Sequence, residues 1–199
     1  LPADVTGQIQ HPDRPSAFFL FTGTVFGLLV AGFVLALGWF HGKRFADVLG
    51  DWSLGAVLKG FGIWTIALVI TALIDFAIAP SGFSVTATAH TPILAVSALA
   101  GLAVQTFAEE FIFRGYITQG LLLAIRRPVP AAVVSGLLFG ALHIPNGAPQ
   151  AVSATAFGIV LALLAIRMGG IAFTWGLHMA NNLFAAVVLV SSGDAFRGT

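Results

Sequence analysis

Residues 18–40 read FFLFTGTVFGLLVAGFVLALGWF and contain no charged side chain. A helix of about 20 apolar residues is long enough to cross the hydrocarbon core of a bilayer. The rest of the chain shares this character, because 58% of its 199 residues are hydrophobic and only 9% are charged. A soluble domain usually carries about 25% charged residues. The composition therefore predicts an integral membrane protein whose outer surface contacts lipid.

Further apolar stretches follow the first one, and we count six spans in total. They cover residues 18–40, 56–79, 92–125, 129–144, 151–166 and 170–190. The third stretch is too long for one straight crossing. We expect it to kink, with Gly101 and Gly115 as candidate break points, or to divide into two segments. The predicted fold class is an all-α, polytopic transmembrane helix bundle with about six spans and one long kinked helix.

The predicted domain organisation is simple. Residues 1–17 are polar and are interpreted as an N-terminal tail, and residues 18–191 form one transmembrane domain whose motif-bearing core is 92–191. The net charge of +1 predicts no nucleic-acid partner. The chain has no cysteine, which excludes disulfides and thiolate metal sites.

The basic residues predict the orientation in the membrane. In the six-span arrangement, one side carries Lys43, Arg44, Lys59, Arg126, Arg127 and Arg167, and the other side carries Arg14 and Arg197. Basic residues favour the cytoplasmic side. Both termini are therefore expected on the opposite side, and Glu109 is expected in the half of the membrane away from Arg126.

Two adjacent glutamates, the only ones in the chain, lie within the sequence FAEEFIFR at residues 107–114. Ionisable groups inside a membrane are costly and are functional candidates by default. Arg114 follows Glu110 by four residues on the same helical face, so the two are expected to form an ion pair. Glu109 points about 100° away and lacks that partner, which suits a general base. Purely structural contacts, or a helix end at the interface, are the alternative.

His143 is the histidine that the hairpin at Arg126 and Arg127 would bring to Glu109. Glu109 and His143 lie at nearly equal distances along the chain from this turn, so at equal rise per residue they share one depth. Carboxylate and imidazole could then meet across the hairpin. The alternative for a membrane histidine is a packing and hydrogen-bonding role.

His178 and Asn182 form a second candidate pair. Reflection about Gly170 leaves His178 about 12 Å short of the level of Glu109. Either the segment after Gly170 is not a regular helix, or the turn lies elsewhere. Asn182 follows one turn later and points the same way. Both side chains can donate to a developing oxyanion, although an interhelical hydrogen bond is the alternative for Asn182.

These motifs, in this order and each in its own predicted helix, resemble the CPBP family of intramembrane proteases. The family includes CAAX prenyl endopeptidases and bacteriocin-processing proteins. The matching motifs are Glu109-Glu110-x-x-x-Arg114, Phe139-x-x-x-His143 and His178-x-x-x-Asn182. The resemblance implies an all-α membrane bundle that hydrolyses peptide bonds. It further implies that Glu109 and His143 activate water, that His178 and Asn182 stabilise the oxyanion, and that Glu110, Arg114 and Phe139 support the site.

No cofactor is expected, because the chain lacks the His-Glu-x-x-His helix that usually binds zinc. Zinc held by Glu109, His143 and His178 with one water is the alternative. The expected substrate is a peptide or membrane-associated protein, and the expected location is a bacterial cell membrane. The family's prenyl-protein proteases open toward the cytosol, which conflicts with the predicted depth of Glu109.

Two rival functions remain at this point. A proton-coupled transporter could use the same side chains as a relay, but it would show inverted repeats, and the charged cluster occurs once. A non-catalytic membrane scaffold is the other rival.

Overall fold

A computed structural model describes residues 15–83, 89 and 91–186. Within them the chain forms α1 (Pro15–His41), α2 (Phe45–Leu49), α3 (Leu54–Ile78), α4 (Thr91–Glu110), a π-helical segment (Phe111–Thr118), α5 (Gln119–Ile125), α6 (Pro128–Ala141), α7 (Ala148–Met168) and α8 (Ala172–Phe184), with 3-10 turns at Pro80–Gly82 and Ile144–Asn146. These residues contain no strand beyond one isolated bridge between Gly50 and Gly170. The all-α prediction is confirmed.

Among the described residues, four helices are long and apolar enough to cross a membrane: Ser16–His41, Leu54–Ile78, Thr91–Ile125 and Ala148–Met168. The fourth predicted span is also helical but short, because α6 ends at Ala141, and the sixth is helical from Ala172 to the last described residue, Ala186. The last residues of the predicted sixth span, 187–190, lie outside the described residues, as do residues 1–14 of the predicted tail, Arg14 and Arg197.

The distribution of polarity is that of a membrane protein. Large apolar side chains cover the outside, including Leu28 and Leu35, while Glu110, Arg114 and His178 are buried inside the bundle. In water such an apolar surface would be unfavourable, whereas lipid accepts it. The chain is therefore an integral membrane protein with its charged cluster in the protein interior.

The long third span runs unbroken from Thr91 to Ile125, and its irregularity falls at Phe111–Thr118. Of the two predicted break points, Gly115 lies in this π-helical segment and Gly101 lies in regular α4. Thr118 Oγ1 donates to the Phe113 carbonyl oxygen at 2.8 Å, and Ser135 Oγ of α6 donates to it at 3.3 Å. In the π-helical segment the Phe113 carbonyl accepts hydrogen bonds from these two hydroxyls. The surrounding hydrocarbon could not supply such donors. Such π-helical turns are frequent at functional sites, and this one begins directly after Glu110.

The helices pack mainly as three pairs: α1 with α4, α6 with α7, and α3 with α8. In the α6/α7 pair, Gly136 and Gly140 are four residues apart and lie against Ile159 and Thr155 so closely that a Cβ would clash. Small residues at this spacing let membrane helices approach each other closely. Helix α8 also contacts α4, so it joins the α3/α8 pair to the helix that carries both glutamates.

Candidate active site

Glu110 is completely buried and lies at the centre of the charged cluster. Its Oε1 atom is 3.1 Å from Nη1 of Arg114, which is also buried. The guanidinium carbon of Arg114 lies 4.3 Å from the centroid of the Phe139 ring, a cation–π contact. The predicted ion pair is therefore present, and Phe139 supports its positive partner.

His178 lies between the two glutamates. Its Nδ1 atom is 2.9 Å from Oε1 of Glu110, and its Nε2 atom is 3.5 Å from Oε2 of Glu109. Only an imidazolium ring carries hydrogen on both nitrogens, so only that form can donate to both carboxylates. In that form, two carboxylates face one guanidinium and one imidazolium, which is the charge balance that burial requires.

The predicted shortfall in the depth of His178 is wrong, and the structure gives the reason. The segment after Gly170 is regular helix from Ala172. The turn itself docks inside the bundle, where Asp51 N donates to Gly169 O at 2.9 Å and Ile171 packs in one apolar cluster with Phe111. The turn therefore lies inside the bundle and not at its edge, and two helical turns from Ile171 are enough to bring His178 beside Glu110.

Glu109 was expected to lack Arg114 as a partner, and its carboxylate instead contacts Gln105 and His178. Its Oε1 atom accepts a hydrogen bond from Gln105 Nε2 at 2.8 Å, and its Oε2 atom faces His178. Gln105 lies one helical turn before Glu109, a spacing at which side chains meet on one face. The Glu109 side chain is 13% exposed and the Glu110 side chain is 0% exposed. Glu109 is therefore the carboxylate that water can reach.

His143 lies at the end of α6 and borders the same aromatic ring as His178. Its ring centroid is 4.7 Å from that of Phe139, and the Phe139 ring is 5.9 Å from that of His178. Nδ1 of His143 is 2.9 Å from the Phe139 carbonyl oxygen. A carbonyl only accepts, so Nδ1 carries hydrogen and Nε2 of a neutral ring is free to accept. Among the contacts of the described residues none joins His143 to Glu109, so their common depth stays a prediction.

Asn182 follows His178 on α8 and belongs to a chain of two amides. Its Oδ1 atom accepts a hydrogen bond from Asn181 Nδ2 at 3.2 Å, and Asn181 Oδ1 accepts one from Trp64 Nε1 at 3.1 Å. Sequence reasoning missed Gln105, Asn181 and Trp64. The four-residue spacing could have indicated Gln105, and the Asn181-Asn182 repeat could have indicated Asn181, but nothing near Trp64 in the sequence points to this site.

The zinc alternative fits these side chains poorly. The three side chains would be those of Glu109, His143 and His178, and the contact found among them is that of Glu109 Oε2 with His178 Nε2 at 3.5 Å. Within residues 15–83, 89 and 91–186, no three His, Asp or Glu side chains are arranged to hold a metal ion.

Comparison with a family model locates one similarity in the part of the chain that carries this site. A family model described as "Type II CAAX prenyl endopeptidase Rce1-like" matches residues 91–184. The "Uncharacterized protein YyaK" of Bacillus subtilis (strain 168) is 32% identical over 148 residues, which are 70% of this chain and 49% of YyaK. The chain thus spans about half the length of this relative. No solved structure matches the chain significantly.

Proposed function

We propose that this chain, whose residues 91–184 match the model of the Rce1-like type II CAAX prenyl endopeptidases, is an intramembrane endopeptidase that cleaves its substrate with a glutamate-activated water. The observation that carries this proposal is the Glu109–His178–Glu110 cluster, in which Glu109 alone is partly exposed. A buried cluster with one water-accessible carboxylate has the general base that hydrolysis needs.

In the proposed first step, Glu109 takes a proton from water and the resulting hydroxide attacks the substrate carbonyl carbon. Gln105 fixes the Oε1 atom of this carboxylate by its 2.8 Å hydrogen bond. A neutral His143 would accept the second hydrogen of the water at Nε2, because its Nδ1 hydrogen is engaged by the Phe139 carbonyl. These contacts would orient the water before attack.

The proposed second step places the negative charge of the tetrahedral intermediate near His178 and Asn182. When Glu109 accepts the proton it becomes neutral, and its attraction for the Nε2 hydrogen of His178 weakens. That hydrogen is then available to the oxyanion, together with the Nδ2 hydrogens of Asn182. When the intermediate collapses, the C–N bond breaks and the proton on Glu109 goes to the leaving amine.

Glu110 and Arg114 keep a supporting role in this proposal. Glu110 holds Nδ1 of His178 at 2.9 Å and is itself neutralised by Arg114 at 3.1 Å. This second carboxylate fixes the orientation of the imidazole, as an outer-shell carboxylate often does for a functional histidine. The proposal needs no metal ion, because Glu109 itself takes the proton from the attacking water.

We propose a peptide or membrane-associated protein as the substrate and a bacterial cell membrane as the location. The likeness to a Bacillus subtilis protein supports the location. The family description names CAAX prenyl endopeptidases, so prenylated peptides with a CAAX end are the first substrates to test, beside unmodified membrane-spanning peptides.

The test is a cleavage assay in detergent micelles with both kinds of peptide and mass-spectrometric identification of the products. Glu109→Gln should abolish cleavage. Asp75→Asn is the control and should leave cleavage unchanged, because it also replaces a carboxylate by an amide, but at an exposed position on α3. Absence of cleavage by the unmodified protein on every peptide, or equal cleavage by Glu109→Gln, would contradict the proposal.

A further inference from the structure

Trp64, on α3, reaches the candidate site from outside the part of the chain that matches the family model. Its indole Nε1 donates to Asn181 Oδ1 at 3.1 Å, across 117 positions of sequence. The family model begins at residue 91. Helix α3 therefore supplies a polar contact that the shared motifs do not contain.

The indole sets the direction of the amide chain that ends at Asn182. An amide can be rotated by 180°, which exchanges its donor and its acceptor, but an indole N–H can only donate. Asn181 must therefore turn Oδ1 toward Trp64 and Nδ2 toward Asn182. Asn182 must in turn use Oδ1 for Asn181, which leaves its Nδ2 hydrogens free. These are the donors that an oxyanion needs, and the reversed chain would present an oxygen instead.

The same indole also contacts the aromatic side chain that borders His178. The Trp64 and Phe157 rings have centroids 5.7 Å apart, and Phe157 meets the His178 ring edge-on at 5.5 Å. Phe139 approaches His178 in the same edge-on way at 5.9 Å. Trp64 thus contacts one neighbour of each proposed oxyanion donor. It donates a hydrogen bond to Asn181, which bonds to Asn182, and it packs against Phe157, which borders His178.

The backbone holds Trp64 in this position because α3 and α8 pack at very close range. A Cβ on Gly60 would clash with the Phe173 carbonyl oxygen, and a Cβ on Gly176 would clash with the Val57 carbonyl oxygen. Trp64 follows Gly60 by one helical turn, so it lies on the face of α3 that meets α8. The glycine contacts fix the register that places the indole beside Asn181.

We infer that Trp64 is a positioning residue of the peptidase site, which acts through Asn181 to keep the Asn182 amide turned with its Nδ2 hydrogens toward the oxyanion. This inference rests on the proposed function, because it assigns Trp64 to the stabilisation of that oxyanion. The contact itself exists without substrate, which allows a test that does not depend on cleavage.

The first measurement is a nitrogen-15 spectrum of the indole N–H groups of the full chain in detergent micelles. The chain has four tryptophans, and the signal that disappears in Trp64→Phe belongs to Trp64. Asn181→Ala removes the acceptor, so the Trp64 proton signal should move upfield while that of Trp39, whose side chain is 86% exposed, stays in place. An unmoved Trp64 signal would overturn the inference.

The second measurement is steady-state cleavage by Trp64→Phe, which keeps an aromatic ring against Phe157 and loses the donor. The kcat should fall about tenfold, the effect of one hydrogen bond, with KM unchanged. Trp39→Phe is the matched control and should keep the wild-type kcat. Because Trp64 acts through Asn182, Trp64→Phe should cost nothing further in an Asn182→Ala background.

The outcomes separate this inference from the proposed function. A wild-type chain that cleaves no peptide contradicts the proposed function. A chain that cleaves, in which the losses of Trp64→Phe and Asn182→Ala multiply, overturns the inference alone, since Trp64 then acts independently of the amide. If Trp64→Phe fails to fold, Asn181→Ala takes its place in the same comparison, because it breaks both links of the amide chain.

Discussion

Nδ1 of His178 lies 2.9 Å from Oε1 of Glu110, and this contact joins α8 to the end of α4. Both side chains are buried. The same imidazole faces Glu109 through Nε2, so a single ring separates two carboxylates that are neighbours in the sequence. Repulsion between adjacent carboxylates is costly away from water, and the ring offsets this cost while holding one helix to another.

The first prediction concerns the loss of this ring. His178→Phe leaves two carboxylates facing only Arg114, and we expect a loss of about 3–5 kcal/mol, as for other one-sided disruptions of buried charge pairs. Thermal unfolding in detergent measures it. Asn182→Ala, one turn further along α8, is the control and should cost about 1 kcal/mol, the value of one hydrogen bond. Equal melting temperatures for the two variants would contradict the structural role of His178.

The second prediction separates the two glutamates by activity. Glu109→Gln keeps the volume and an oxygen for Gln105, so its stability should change little. Its turnover should fall by at least about 10²–10⁴, the contribution of a general base. Single-turnover cleavage and thermal unfolding are measured on the same preparation. Near-wild-type cleavage by this variant, beside a stable but inactive Glu110→Gln, would reverse the assignment of roles.

The local parts of this site could be predicted from the sequence. Glu110 and Arg114 form their ion pair across one helical turn, and a four-residue spacing determines that contact almost regardless of the rest of the fold. The apolar spans were predictable for a similar reason, since hydrocarbon permits only helices with satisfied backbones or closed barrels.

The contacts between distant helices could not be predicted in the same way. The depth of His178 depends on where the turn at Gly169 docks, and residues 49–51 determine that position through backbone contacts invisible in the sequence pattern. Trp64 and Asn181 are 117 positions apart, and their meeting depends on the register of two glycine contacts between α3 and α8.

The third prediction is that activity is independent of bound metal. The described residues hold no group of three His, Asp or Glu side chains that could bind a metal ion, and the proposed steps use none. Elemental analysis of purified, active protein should find no stoichiometric zinc, and chelator treatment should leave the cleavage rate unchanged. Zinc present at one equivalent, whose removal and return track activity, would show that the site rearranges around a metal.

The fourth prediction concerns the surface pair of Arg44 and Asp47 at the start of α2. The Arg44 side chain and then its backbone N–H hold the pKa of Asp47 below its usual range. Because this pKa is lower in the folded than in the unfolded chain, the ionised carboxylate stabilises the fold at pH values above the unfolded pKa of about 3.9. This stabilisation is lost as the pH falls through the lower folded pKa. The difference in melting temperature between wild type and Asp47→Asn should therefore be small at neutral pH and vanish in acid. A difference that grows on acidification would contradict this account.

The final prediction tests whether Glu110 and Arg114 stabilise the bundle mainly by cancelling each other's charge. None of the Arg114 nitrogens has a hydrogen-bond partner among the described residues, so charge and the Phe139 ring hold the guanidinium in place. Glu110→Gln strands that cation and should cost about 3–5 kcal/mol. Arg114→Met in the same chain removes the stranded charge and keeps a flexible side chain against Phe139. The double variant should therefore melt at a higher temperature than Glu110→Gln alone, which makes the two changes non-additive.

If the double variant is less stable than either single variant, the arginine contributes by its packing rather than by its charge. Activity gives a separate result, because His178 loses the charge of Glu110 in both variants, and restored stability should not bring restored cleavage.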